Sequence, residues 1–564
     1  MDIRRTILWV IFSFSLLLLW NNWQIHNGKQ PLFGNAPQSE SQGSKTSSVS
    51  QTTSGDTSIP DAQPEASPAS QETPETTMAV EASNTNSESE IVTVSTDVLT
   101  LSFDTIGAQL VKAEINKYFD TNDKTQPMVL LDKTPTHTYV AQTGVVGAAA
   151  GKSYPTHLST FKLISNNNEN GRQIISFESE NDGVKVIKTY TVNPEDYSIE
   201  VTHSITNLGD QDINPSLYVQ LTRDSSDIKE TSAFYRTFTG PALYSQEEKF
   251  QKVSFSDIDK NKAKYIKNTD NGWIGMVQHY FASAWVLPQG IERNNEVLHL
   301  NNNLYAVRSI QPVGTIHAGQ TKDITANLWV GPQDQKAMSE LAPGLELVVD
   351  YGWLTIIAKP LFKIMTWLHA AIGNWGWTIV VLTLLIKLVF YPLSAASYRS
   401  MAKMKQITPR MKALREQYGD DRAKLNAAMM EMYRTEKINP LGGCLPMIVQ
   451  IPVFIALYWV LLGSVEMRGA PWILWIQDLS ARDPWFILPA FMMATMFLQI
   501  KLNPTPPDPM QARVMMIMPL VFGGMMFFFP AGLVLYWCVN NAISIIQQRY
   551  IMHKLDKEMA AASR

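Results

Sequence analysis

Hydrophobic and polar positions alternate in three different ways along this chain. Between about Ile91 and Val330 the period is two. VLTLSFD (98–104), IISFESE (174–180), VKVIKTYTV (184–192), YSIEVTHSI (197–205), LYVQLTR (217–223) and ITANLWV (324–330) are rich in Val, Ile, Thr and Tyr. That pattern predicts half-buried antiparallel strands. Turn-forming breaks such as NNNENG (166–171) and ENDG (180–183) separate them. A β-sandwich over 91–335 is expected. Beyond residue 350 the polar positions become sparse, and apolar runs about as long as a bilayer crossing take over, which needs about 20 residues of helix. Runs of this kind occupy 377–397, 441–463, 485–501, 513–529 and 533–548. A further run, Ile7 to Trp20, follows Arg4 and Arg5 at the N-terminus.

The pattern therefore predicts a polytopic α-helical membrane protein with six transmembrane helices and a large β-sandwich on the outside. The N-terminal run (1–25) has two readings, a cleaved signal peptide or a retained anchor. Trp20, Asn21, Asn22 and Trp23 follow it in place of a small-x-small cleavage site, which favours the anchor. Residues 26–90, rich in Ser, Thr, Gln, Pro and Glu, have too few large apolar residues to offset their ordering entropy and are expected to form a disordered tether. Residues 336–373 form a connector. Within it Trp353, Leu354, Ile357, Leu361, Ile364, Met365 and Leu368 recur at helical spacing, interrupted by Lys359, Lys363 and His369. An amphipathic helix lying in the interface fits this better than a seventh span.

Charge fixes the orientation. Residues 398–440 hold ten basic and five acidic side chains, and the last residues, 549–564, carry Arg549, Lys554, Lys557 and Arg564. An excess of Lys and Arg marks cytoplasmic loops. Loop 464–484, with Arg468 and Arg482 against three acids, is an outside loop. Both termini are then cytoplasmic and the sandwich is periplasmic. Two apolar stripes flanking Gly419-Asp420-Asp421 make 398–440 a helical hairpin. Its basic, Met-bearing surface suits ribosomal RNA, anionic lipid or a partner protein.

Candidate chemistry centres on Lys387, in the middle of the 377–397 run. A Lys at bilayer centre costs roughly 2.5–3.5 kcal/mol. It is about 18 Å of straight helix from Arg399, too far to snorkel. No Asp or Glu lies within the six runs to neutralise it. Hydration remains. Thr383 lies one turn earlier, and Gln450, Thr495, Asn540, Asn541, Ser544, Gln547 and Gln548 are polar positions in other runs. Such residues also serve as glue between helices. The expectation is a hydrated groove within the membrane around an unpaired cation. His137, His157, His203 and His279 show no metal-ligand spacing and read as structural. The two cysteines, Cys444 and Cys538, lie in apolar runs, so no disulfide framework is expected. HExxH, GxSxG and Walker A sequences are absent, which points away from an enzyme and from a cofactor.

The stretches VDYGWL (349–354), NWGW (374–377), YPLS (391–394), SMAKM (400–404), GDD (419–421), INPLGGCLP (438–446), DPMQ (508–511) and GLVLYW (532–537), taken in this order, resemble the YidC/Oxa/Alb family of membrane protein insertases. N-terminal MDIRR and the large sandwich resemble its Gram-negative form. The resemblance implies a protein that inserts, folds and assembles inner-membrane proteins, alone or with the Sec translocon. Five helices within 374–548 would form the insertase core. Nascent membrane proteins, the ribosome and membrane lipids are the implied partners. It also implies that Lys387, Thr383 and Trp537 line a substrate groove, joined on the reading above by Gln450, Asn540 and Asn541. Most bacterial members carry Arg where this chain has Lys387, and Tyr is frequent at the position of Trp537. Lys keeps the charge without the planar fork of Arg. The rival readings are a small-solute or anion transporter using the same lysine, and a periplasmic binding protein on a membrane anchor. The first lacks internal repeats between 377–463 and 485–548, and the second needs only one span.

Overall fold

A computed structural model describes residues 58–60, 89–120, 123–226, 237–418, 421–436, 445–503 and 509–562. The expected N-terminal anchor, nearly all of the tether and Cys444 lie outside the described residues. The chain divides into two compact units, 1–348 and 349–564.

The first unit is a β-sandwich of two nine-stranded antiparallel sheets. The first sheet runs, edge to edge, Ile91–Ser95, Leu99–Asp104, Gln109–Phe119, Pro127–Lys133, Thr138–Val146, Ser216–Asp224, Leu304–Pro312, Arg293–Leu300 and Asn268–Thr269. The second runs Lys249–Lys252, Gly240–Ser245, Trp273–Val277, Phe281–Val286, Thr321–Pro332, Ser198–Asn207, Val184–Val192, Arg172–Asn181 and Lys162–Glu169. Each stretch with two-residue alternation is a strand. The break at 166–171 narrows to Asn170-Gly171, both at positive φ, in a two-residue hairpin turn. Asp182-Gly183 repeats the device.

Inward positions of both sheets build the core, with Phe103, Phe177, Trp285 and Trp329 almost fully buried. Strand Val184–Val192 alternates without exception, and Val184, Val186, Tyr190 and Val192 point inward. Lys188 shares their phase and is fully buried. Its Nζ donates to the carbonyls of Gly107 (2.7 Å) and Thr143 (2.8 Å) and lies 4.5 Å from the centre of the Phe161 ring. Burial lowers its pKa to about 7. His203 Nε2 lies 2.8 Å from Thr143 Oγ1. Burial, with the Lys188 charge nearby, holds this imidazole down to about 3.

The second unit is helical. Its helices are α1 (Thr355–Ile372), α2 (Trp375–Val389), α3 (Tyr391–Tyr418), α4 (Arg422–Thr435), α5 (Leu445–Gly463), α6 (Ile487–Leu502), α7 (Pro509–Met526) and α8 (Ala531–Ala562). In α1, Ala358, Phe362, Met365 and Leu368 are buried along one face while Lys363 and Trp367 are exposed, an amphipathic pattern. Gly373 ends this helix in the left-handed region.

The structure corrects the continuous helix expected over 377–397. α2 stops at Val389, and the chain bends by 65° into α3. Pro392 lies in the first turn of α3. It has no N–H to donate, and continuing α2 through it would drive its ring into the carbonyl of Leu388. The hairpin's first arm therefore starts at Tyr391, and the straight-helix distance from Lys387 to Arg399 does not apply. Nor does the last helix end at 548: α8 continues to Ala562. Among the described residues no single helix is both long and apolar enough to cross a bilayer alone, whereas α2 and the start of α3 satisfy that test as a bent pair. At 1.5 Å per residue, α2 is only about 22 Å long, against roughly 30 Å of hydrocarbon.

Candidate functional site

The site is built where α2, α3 and α6 meet α8. One end of it is held by side chains that cap helices. Asn374 Oδ1 accepts from the backbone N–H of Trp377 (3.1 Å) and its Nδ2 donates to the carbonyl of Pro471 (3.1 Å), which ties the start of α2 to the loop before α6. Gly376 is packed under Trp472, where a Cβ would collide with the indole. Buried Asp483 accepts from the backbone N–H of Leu488 (2.7 Å) and from Trp475 Nε1 (3.0 Å), satisfying the open start of α6.

Lys387, on the last turn of α2, is 4% exposed. Its Nζ donates to Ser544 Oγ of α8 at 2.8 Å. Ser544 Oγ in turn donates to the carbonyl of Asn540 (2.7 Å), and Tyr398 Oη of α3 donates to the carbonyl of Ser544 (3.3 Å). No carboxylate pairs with Lys387 among the described residues, as the composition of the runs implied. An ammonium has three donors. Here the Ser544 hydroxyl is its one hydrogen-bond acceptor among the described residues.

The other expected site residues divide. Thr383 is buried one turn from Lys387, but its hydroxyl donates to the Ile379 carbonyl of its own helix (2.6 Å). Asn541 is buried and its Nδ2 donates to Thr495 Oγ1 of α6 at 3.4 Å, the interhelical role of a polar side chain. Asn540 is half-buried and reaches Lys387 only through Ser544. Trp537 is half-buried, its ring 4.6 Å from that of Phe454 and 5.1 Å from that of Phe522, and its Nε1 has no hydrogen-bond partner among the described residues. Gln450 is half-buried on α5, with no hydrogen bond to Lys387.

Trp537, Asn540, Asn541, Ser544, Gln547 and Gln548 recur every three to four residues, which puts them on one face of α8. Ser544 was legible only as one polar position among several, and its role as the lysine's acceptor was not. The helical spacing from Trp537 was the available signal. The outward surfaces are apolar. Leu384, Leu388 and Val389 of α2 and Met516 to Met518, Leu520 and Val521 of α7 are exposed. Contiguous exposed apolar surface of this kind marks contact with lipid or protein.

Two family descriptions match the chain, the YidC periplasmic domain over residues 91–364 and the 60Kd inner membrane protein over 367–558. A membrane protein insertase YidC of Bordetella petrii is 63% identical, and one of Bordetella pertussis 62%, each alignment covering the whole of both chains. A crystal structure of an active YidC insertase with its first transmembrane domain resolved aligns with 81% of this chain and 92% of that one, at 19% identity and a TM-score of 0.37. With full-length identity at this level, the chain belongs to the YidC family of membrane protein insertases.

Proposed function

We propose that this inner-membrane insertase works through Lys387 and the polar face of α8. Together they form a path for the hydrophilic end of an incoming membrane protein. The observation that carries the reading is a buried ammonium with a single hydroxyl acceptor and no carboxylate among the described residues. A buried charge so sparsely met is costly unless further oxygen ligands reach it. Water in a groove supplies them at rest. The carboxylates, carbonyls and hydroxyls of a translocating segment supply them in passage.

The mechanism is one of lowered barriers. Short α2 shortens the apolar path, Lys387 attracts acidic or strongly polar segments, and Asn540, Ser544 and Gln547 continue the polar track. Trp537, with Phe454 and Phe522 around it, marks the apolar side of the track, along which a hydrophobic helix moves into lipid. Asn541 holds α8 against α6 through Thr495, and Thr383 lies on α2 one turn before Lys387. Gln450 lies on the α5 side of the same passage. Substrates are nascent membrane proteins. In this reading both termini and the α3–α4 hairpin are cytoplasmic, where the ribosome and the lipid headgroups are met, and the sandwich is periplasmic beside the Sec translocon. No bond is made or broken, so the activity is not enzymatic and needs no cofactor.

The test is insertion by the purified protein in reconstituted vesicles, using a substrate with a charged translocated tail. Lys387→Ala must impair it, and normal insertion by that variant would sink the mechanism. A photocrosslinker at 383, 387 or 537 should capture a stalled nascent chain.

A further inference from the structure

Ser58–Pro60, from the stretch expected to be a featureless tether, is placed against the sandwich. Ile59 packs on Val146, Tyr218 and Ile310. Pro60 is buried. The Ser58 carbonyl accepts from Arg308 Nη1 at 3.4 Å. These contacts fall on the three adjacent strands Thr138–Val146, Ser216–Asp224 and Leu304–Pro312.

The contacted side chains lie on the outer face of the first sheet. Tyr139, Thr143 and Arg223 point toward the second sheet, where they meet Ser283, His203 and Gln278. Strand alternation then turns Gln142, Val146, Tyr218, Gln220, Thr222, Arg308 and Ile310 the other way. Polar and charged side chains on an outer face are ordinarily solvated. Here Gln220 is fully buried and Arg308 is 7% exposed. The face is also organised. Gln220 Nε2 donates to Gln142 Oε1 and Thr222 Oγ1, each at 2.9 Å, and Gln142 Nε2 donates to Gln109 Oε1 at 2.8 Å. Arg308 Nε donates to Glu296 Oε2 at 2.6 Å, which holds the guanidinium with its Nη1 toward the Ser58 carbonyl. Gln220 Oε1 is a buried acceptor with no partner among the described residues, directly across the strand pair from Arg308. A guanidinium already on one peptide carbonyl, beside an unused amide oxygen, offers a donor and an acceptor to an extended backbone. The Val146–Tyr218–Ile310 hollow offers a seat for one branched aliphatic side chain.

We propose that this outer face is a peptide-binding site for an extended segment with a branched aliphatic residue followed by proline, and that its resident ligand is the chain's own Ser58-Ile59-Pro60. Segment and site share one chain, so the contact acts at an effective concentration of roughly millimolar order and holds even if weak between separate molecules. Proline fixes its own φ and biases Ile59 toward extended backbone, which lowers the ordering cost. Docking at Ile59 fixes the chain to the sandwich ahead of its first strand, Ile91–Ser95. The proposal does not depend on the insertase groove.

The experiment places a photocrosslinking amino acid at Ile59, and separately at Met78 as a tether control, in the full-length protein in lipid vesicles. The Ile59 probe should crosslink within the same chain to peptides containing Tyr218 or Ile310, at least tenfold more than the Met78 probe. Arg308→Ala should cut that yield severalfold while leaving the sandwich's thermal transition in place. Equal yields from both probes, or products joining two chains, would overturn the proposal. So would a yield indifferent to Arg308→Ala.

Discussion

Each unit of this protein buries a lysine without a carboxylate partner among the described residues, and the two are used in opposite ways. In the sandwich, Lys188 spends its donors on the Gly107 and Thr143 carbonyls and lies over the Phe161 ring. Rigid neighbours satisfy it and hold it far from solvent. In the helical unit, Lys387 is nearly as buried but meets one side-chain hydroxyl, itself on a neighbouring helix. The first arrangement closes a site and the second leaves coordination open. Burial of a charge therefore does not by itself indicate function. What distinguishes the two is how many of the charge's hydrogen bonds the fold already supplies.

Removing the amine from the open site should have the largest effect. Lys387→Ala deletes a charge-assisted contact worth about 1.5–3 kcal/mol to a passing polar segment, so insertion of substrates with charged tails should fall roughly ten- to a hundredfold. Substrates with short uncharged tails should suffer less. Vesicle insertion assays on the two substrate types, run beside a thermal melt of the same variant, separate loss of transport from loss of fold.

Removing the amine from the closed site should change stability and spare insertion. The folded-state pKa of Lys188 is lowered from 10.5 to about 7, so between those values the unfolded chain binds the extra proton. Stability should then rise with pH across that window, by up to about 1.4 kcal/mol per unit. His203, lowered from 6.5 to about 3, carries the same sign below neutrality, and stability is lost as pH falls through that lower window. Lys188→Met should flatten the alkaline limb and, by removing the charge that adds to burial in lowering the His203 pKa, weaken the acid limb without abolishing it. Melting temperatures of the sandwich from pH 4 to pH 10 would show it, and an unchanged alkaline slope would remove Lys188 as its source.

How much of this contrast was legible in the sequence follows the physics of each unit. Two-residue alternation is dictated locally, and the stretch read as a strand at 184–192 is a strand with those bounds. The same alternation put Lys188 in phase with Val184, Val186, Tyr190 and Val192, a signal present but unused. Both-face burial, as in Thr138–Val146, erases the alternation, and that strand escaped the reading. In the helical unit the isolation of Lys387 from carboxylates was legible because it rests on composition. The break at Phe390 was not, because an apolar run looks continuous while Pro392 alone interrupts the hydrogen-bond ladder. Ser544 lies 157 positions from Lys387 and only tertiary packing unites them.

A smaller effect should come from Ser544→Ala. It removes the one protein acceptor of the Lys387 amine among the described residues, a bond worth about 1.5–3 kcal/mol net, while the charge stays. If the passing substrate and groove water complete the coordination, insertion should drop only about threefold to fivefold. A loss as deep as that of Lys387→Ala would mean that the hydroxyl, rather than the charge, governs passage.

The smallest effect belongs to Lys387→Arg. The guanidinium keeps the charge and adds donors in a planar fork, so both Ser544 and a passing carboxylate can be met. Its larger head must fit beside Tyr398, whose hydroxyl already donates to the Ser544 carbonyl. An electrostatic role predicts insertion within about twofold of the parent, because charge is conserved and α2 and α8 have only to accommodate a longer side chain. A role as a structural peg would predict the reverse. Arg could not then repeat the single 2.8 Å contact to Ser544 without moving α8, and it would fail as Ala does. Insertion by the Arg variant, measured against the Ala variant in the same vesicles, therefore decides whether Lys387 belongs with the open site or with the closed one that Lys188 represents.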